Sequence, residues 1–188
     1  MKKGKLVVIS GPSAGVGKDT LIKLFLEKHP DWSVPPSTTT RSARPGEIDG
    51  KDYMFVDKER FEKWQEDGRF LESILVDNNQ WYGTLRQPIE ELLNSGKDVI
   101  VRKDVRGCLL FKEAMPEATL VFINAESWEA LEKRIRARGT EDEEAIKRKL
   151  ELAKSELPYQ DKFDRVVVNP TGHPEKALAD LENIIWHS

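Results

Sequence analysis

The sequence has one cysteine in 188 residues and three histidines, and no apolar run nears the ~18 residues that a membrane-spanning helix needs. The single thiol, Cys108, excludes an intramolecular disulfide, and a reducing cytoplasm is its simplest setting. It sits in the apolar stretch Cys108-Leu109-Leu110-Phe111, which reads as a buried, inert position. The histidines and the cysteine lack zinc-ligand spacing, and no serine–histidine pairing is readable. Excess charge of one sign is missing too. Thirty Lys and Arg against 33 Asp and Glu leave −3, whereas a general nucleic-acid binder is strongly basic. The basic start, Met1 to Lys5, meets only four apolar residues before Ser10, too few for a signal-peptide core. Repeats and low-complexity tracts are absent. The composition that remains, 38% apolar and 34% charged, predicts one domain with small insertions and a core of its own.

The most informative stretch runs from Lys5 to Thr20. Leu6-Val7-Val8-Ile9 reads as a buried strand. Ser10-Gly11-Pro12-Ser13-Ala14-Gly15-Val16-Gly17-Lys18-Asp19-Thr20 follows as a glycine-rich turn entering a helix. Strand, loop and helix start is the context of a phosphate-binding loop. Inward-facing N–H groups and the positive end of the helix dipole cradle an anion, and a lysine adds a full charge. The spacing departs from the usual G-x-x-x-x-G-K-[ST]: five residues separate Gly11 from Gly17, and Asp19 precedes Thr20. The extra residue, Ala14, is expected to bulge outward and leave Gly15, Gly17 and Lys18 in place.

Further along, residues 20–29 have amphipathic helical spacing, ended by His29-Pro30. Residues 33–39 read as extended. Tyr53, Phe55 and Val56 suggest short antiparallel strands, Asp57 a helix cap, and residues 70–76 and 80–84 two strands joined by an Asn78-Asn79 turn. Helices are expected over 88–94, 105–114 and 174–186, with a further one capped by Ser127 and interrupted at Gly139, and buried strands over 98–101, 119–123 and 165–168. Thr140-Glu141-Asp142-Glu143 resembles a capping box opening a helix to about Glu156. Strands alternating with helices predict an α/β fold with a parallel sheet, whose ligands bind at the carboxyl ends of strands. Arg41, Arg102-Lys103-Asp104 and Asn169 follow such ends, as the glycine loop does.

Several charged groups have two readings. Arg41 and Arg44 are either a fork for a second phosphate or solvated loop charges. Arg134 and Arg138, at i and i+4, with Arg136 and Arg148, are either a mobile arginine lid about Gly139 or a solvated helix face. Asp104 is either a magnesium-holding carboxylate or a helix N-cap.

Taken together, the motifs resemble the guanylate kinase family. They are Gly11-Pro12-Ser13 to Thr20, Ser37-Thr38-Thr39-Thr40-Arg41 with Arg44-Pro45-Gly46-Glu47, and Asp49-Gly50 with Asp52-Tyr53 and Phe55. Trp81-Tyr82-Gly83-Thr84, Asp104-Val105 with Gly107, and Arg138-Gly139-Thr140-Glu141 complete the set. The likeness covers nearly the whole chain in order. It implies a P-loop NTPase three-layer fold with a central parallel sheet: a core of 1–36 and 90–188, a small mixed GMP-binding insertion at 37–89 and a helical lid at about 134–150. It implies ATP and GMP as substrates and Mg2+ as cofactor; the near-neutral charge and short apolar runs lead us to expect no nucleic-acid or membrane partner, and the chain is expected to be a monomer or small homo-oligomer. By position, Gly11, Pro12, Ser13, Ala14, Gly15, Val16, Gly17, Lys18, Asp19 and Thr20 would hold ATP, with Arg134, and Asn169 near the adenine and ribose. Arg41, Arg44, Tyr53 and Tyr82 would hold the GMP phosphate. Ser37, Glu72 and Thr84 would read the guanine, and Asp104 would join the GMP site. Lys18, Arg41, Arg134, Arg138 and Arg148 would act on the transferring group, with Thr20 and Asp104 toward the metal.

This sequence departs from the family pattern at Ala14, at Asp19, and at Arg102-Lys103, where an acidic residue usually precedes Asp104 by two. Two other readings compete with an active kinase. One is a non-catalytic binding module of the same fold. The other is a kinase with a different phosphorylated acceptor, against which Ser37, Glu72 and Thr84 argue together.

Overall fold

The computed structural model describes residues 2–76, 79–137 and 142–187. Among these, β1 (Leu6–Ser10), β6 (Val99–Arg102), β7 (Thr119–Ala125) and β8 (Arg165–Asn169) form a four-stranded sheet in the order β6-β1-β7-β8. The parallel register is direct: Val7 faces Thr119, and Val121 faces Arg165. A second four-stranded sheet has the order β3-β2-β5-β4, from β2 (Ser37–Thr39), β3 (Tyr53–Phe55), β4 (Phe70–Val76) and β5 (Gln80–Leu85). The helices are α1 (Lys18–Lys28), α2 (Lys58–Glu66), α3 (Arg86–Asn94), α4 (Val105–Ala114), α5 (Trp128–Ala137), α6 (Glu143–Glu156) and α7 (Pro174–Trp186). The α/β class and the parallel sheet are those expected from the alternation of buried strands and helices. Among the described residues, no helix is long and apolar enough to cross a membrane.

The chain groups into two compact units. In the first, comprising 1–6, 32–101 and 109–118, the ring of Phe61 stacks on Phe70 at 4.4 Å and on Trp81 at 5.7 Å, and packs α2 onto the second sheet. Asp57 caps α2 as expected, accepting from the Arg60 N–H at 2.7 Å. In the second unit, comprising 7–31, 102–108 and 119–188, the core is built from β7, α1, α5 and α7. Val121, Phe122, Ile123, Leu21, Phe25, Leu131, Leu181 and Ile185 are all buried. Cys108 is buried as well.

Three local expectations change. Strand β3 pairs with β2 in parallel, not antiparallel. The connection, residues 40–52, is long enough for the crossover that parallel pairing demands, and it leaves that loop free to carry charge. Helix α3 begins at Arg86, two residues before Pro88, because proline in a first turn forfeits no intrahelical bond. Helix α6 is capped by Asp142, which accepts from Ala145 N–H at 2.7 Å, and begins at Glu143. Thr140 and Glu141 of the expected capping box lie outside the described residues, as does Asn78 of the expected turn.

Candidate functional site

The phosphate loop joins β1 to α1, in the second unit. Gly15 and Gly17 both have φ near +80°, where a side chain is strained. Space excludes one as well. A Cβ on Gly15 would meet Leu131 Cδ1 at 2.7 Å, and one on Gly17 would meet Asn169 Nδ2 at 2.6 Å. Lys18 opens α1, and its ammonium reaches back across the loop to the carbonyls of Gly11 (3.0 Å) and Pro12. Burial pushes the Lys18 ammonium down to about 8, against the opposing pull of Glu156 and Asp19. The N-cap residue, Gly17, has no side chain to cap the helix, so the first-turn N–H groups of α1 keep their anion-binding character.

Two buried side chains hold this loop from the far end of the sequence. Both oxygens of Glu156, 5% exposed, take Ser13: Oε2 accepts its N–H at 2.6 Å and Oε1 its hydroxyl at 2.5 Å. Asn169, 7% exposed, donates from Nδ2 to the Val16 carbonyl at 2.8 Å. Ser13 itself is exposed and Ala14 half-buried. Asn169 thus turns its amide to the loop backbone. Asp19, exposed on α1, pairs with Arg102 at the end of β6. Two of the residues set apart in the sequence, Asp19 and Arg102, therefore answer each other's charge.

Asp104 serves as an N-cap: its Oδ1 accepts the Gly107 N–H at 2.6 Å, in the first turn of α4. Thr20 is exposed in the first turn of α1. Arg134, on α5, is engaged by Glu126 Oε2 (2.6 Å), the Asn169 carbonyl (2.8 Å) and Thr171 Oγ1 (2.8 Å). Arg148, on α6, is exposed, with Glu144 at 3.6 Å. Arg136 pairs with Glu132 and Glu143. Arg138 and Gly139 lie outside the described residues.

The second cluster belongs to the first unit. Arg41, 7% exposed, lies in the β2–β3 connection. Its Nη1 and Nη2 donate to the two oxygens of Glu47, each at 2.6 Å, Nε donates to Tyr82 Oη at 3.0 Å, and Nη1 also to the Ser42 carbonyl at 2.9 Å. At least four of its five N–H groups are engaged. The guanidinium lies 4.8 Å from the Tyr53 ring centroid, and the Tyr53 and Tyr82 rings meet edge to face at 6.0 Å. Arg44 is exposed and gives its N–H to Glu47 at 2.7 Å. The hydrogen bonds from Arg41, then the Arg44 N–H, hold the Glu47 carboxyl down to about 2; the Arg41 guanidinium is shifted up by the same pairing. On the second sheet Glu72 faces Thr84 across β4 and β5. The carboxylate is 5% exposed and accepts the Thr84 hydroxyl at 2.7 Å. Ser37, half-buried, opens β2.

The structure thus brings Arg41, Tyr53 and Tyr82 together, pairs Glu72 with Thr84, and gathers Lys18 and Asn169 about the glycine loop. Sequence reasoning gave no role to Glu47, Glu126 or Glu156. Glu156 had one local signal, a carboxylate in the last turn of a helix, against the dipole.

Comparisons with known proteins give the family of the chain. The family model described as guanylate kinase matches residues 3–188. The guanylate kinase of Synechocystis sp. is 45% identical over 89% of this chain and 86% of its own. That of Prochlorococcus marinus is 43% identical over 97% and 95%. The crystal structure of guanylate kinase from Anaplasma phagocytophilum aligns with 100% of this chain and 87% of its own, with a TM-score of 0.76 and 28% identity. A shikimate kinase from Bacteroides thetaiotaomicron, at 17% identity and a TM-score of 0.50, shares the fold alone. The chain belongs to the guanylate kinase family, and its activity is the ATP-dependent phosphorylation of GMP.

Proposed function

We propose that the two clusters divide the substrates of this reaction. The glycine loop with Lys18 takes the phosphates of ATP, and the Arg41 cluster takes the phosphate of GMP. The transfer itself asks little covalent chemistry of the protein. An oxygen of the GMP phosphate attacks the γ-phosphorus, the bond to the bridging oxygen breaks, and ADP leaves. What the protein supplies is position and positive charge around the oxygens. Lys18 and the first-turn N–H groups of α1 meet that need on ATP. Arg41 and Arg44, with the Tyr53 and Tyr82 hydroxyls, meet it on GMP, the tyrosines adding donors without charge. Arg134, Arg138 and Arg148 supply further cations toward the transferring group.

Guanine recognition falls to Glu72, with Ser37 and Thr84. A carboxylate accepts two hydrogen bonds from guanine N1–H and its exocyclic amine. Adenine lacks that donor pair and would leave a buried charge poorly matched. Thr20 and Asp104 offer the hard oxygen donors that magnesium prefers, and Asp104's N-cap bond occupies only one carboxylate oxygen. When bound with ATP, Mg2+ neutralises phosphate charge. The division of labour we infer is a core of 1–36 and 90–188, a GMP-binding region of 37–89 and a lid at about 134–150.

The observation that carries the GMP assignment is the buried Glu72 carboxylate with a hydroxyl donor already on it. The test is a coupled assay across four nucleoside monophosphates with the native protein and Glu72→Ala. The native protein should use GMP and ignore AMP. Glu72→Ala should lose about 100-fold in kcat/KM for GMP while its ATP affinity stays. Equal losses for both substrates would remove Glu72 as the base reader.

A further inference from the structure

We propose that Glu156 is a positioning residue of the phosphate loop, setting the geometry in which the loop meets the phosphates of ATP. The inference rests on the reading of that loop as the ATP site. Glu156 is the last residue of α6, where the negative end of the helix dipole disfavours a carboxylate. It is also 5% exposed, and a buried carboxylate is costly unless its oxygens are satisfied. Both oxygens are satisfied by one residue, Ser13, whose N–H and hydroxyl lie at 2.6 and 2.5 Å. Ser13 lies immediately before Ala14, the extra residue of the loop.

This contact assigns donors within the loop. The Ser13 N–H belongs to Glu156, so it is withdrawn from the set that faces phosphate. The first-turn N–H groups of α1 and the Lys18 ammonium remain. A loop one residue longer than usual has more ways to misplace those donors. It is gripped on both sides of the extra residue: at Ser13 by Glu156, and at the Val16 carbonyl by Asn169 Nδ2 at 2.8 Å. The helix that ends on Ser13 also carries Arg148, so one element bears both the loop's anchor and a proposed lid cation.

The test is steady-state kinetics, with each substrate varied in turn, on native protein, Glu156→Ala, Glu156→Gln, Ser13→Ala and the double variant Glu156→Ala/Ser13→Ala. Loss of a pair of charge-assisted bonds should raise KM for ATP about tenfold or more in Glu156→Ala, with KM for GMP unchanged. Glu156→Gln should recover most of the loss, since its amide oxygen accepts the Ser13 N–H and its NH2 donates to Oγ. Ser13→Ala should give a smaller rise, about threefold, and add little to Glu156→Ala. A folded Glu156→Ala variant with unchanged KM for ATP, or with both KM values raised together, overturns the proposal. If Glu156→Ala does not fold, Ser13→Ala decides: a rise in KM for ATP alone supports the proposal, and none overturns it. Native protein that does not bind ATP would overturn the reading of the loop as well, a result distinct from native binding with an indifferent Glu156→Ala.

Discussion

Two loops of this molecule hold a carboxylate on groups suited to phosphate, and the two carboxylates do different work. In the glycine loop, Glu156 grips the frame, a backbone N–H and a hydroxyl at Ser13, and leaves the Lys18 ammonium to its own contacts with the Gly11 and Pro12 carbonyls. In the Arg41 loop, Glu47 grips the cation itself and engages both terminal nitrogens of the guanidinium. The difference follows from how each loop makes positive potential. The first uses oriented backbone and a helix end, which need shape; the second uses side-chain charge, which needs a fixed orientation. A carboxylate can hold shape without cancelling a backbone dipole, but on a guanidinium it offsets charge while it orients.

The comparison breaks most visibly at Lys18. Lys18→Ala should lower kcat/KM for ATP by about 1000-fold, because no backbone group replaces a full charge on the transferring phosphates, while GMP affinity measured by calorimetry stays. A parallel fall in GMP affinity would mean that the two loops are not separate in function. Next in size is Arg41→Lys, which keeps the charge and loses the fork. It should cost about 10- to 100-fold in kcat/KM for GMP and leave ATP affinity alone. A silent Arg41→Lys variant would take the GMP phosphate away from this cluster.

The smallest effect sharpens the contrast. Glu47→Gln keeps the shape and removes the charge, and should change KM for GMP only a few-fold. Its clearer signature is in stability. The folded Glu47 carboxyl is held at about 2, below its ordinary 4.5, so the pairing contributes stability above about pH 4.5 and loses it as pH falls through 2. Urea unfolding should show native protein more stable than Glu47→Gln at pH 6, with the gap closing as pH falls below 4.5. A gap that does not depend on pH would mean that Glu47 acts by packing and not by charge.

The legible parts of the fold were local ones. Asp57 lies three residues before the N–H it caps, the β-branched run of β1 precedes its glycine turn, and Lys18 adjoins Gly17. The parallel pairing of β2 with β3 was not legible, because strand direction depends on where a long connection returns. Nor was the Arg102–Asp19 pair, which turns two separate departures from the family pattern into one compensated contact.

For the glycine loop the division is sharp. Glycines where φ is positive, a lysine at the helix entrance and one residue too many are all properties of adjacent residues, and the sequence by itself determined them. How the longer loop is held was decided only by tertiary structure. Glu156 and Asn169 reach it from 143 and 153 residues away, and no local periodicity encodes which buried side chain will meet which backbone group across such a separation. The rule that buried polar groups must find partners applies to a chain only once it has folded.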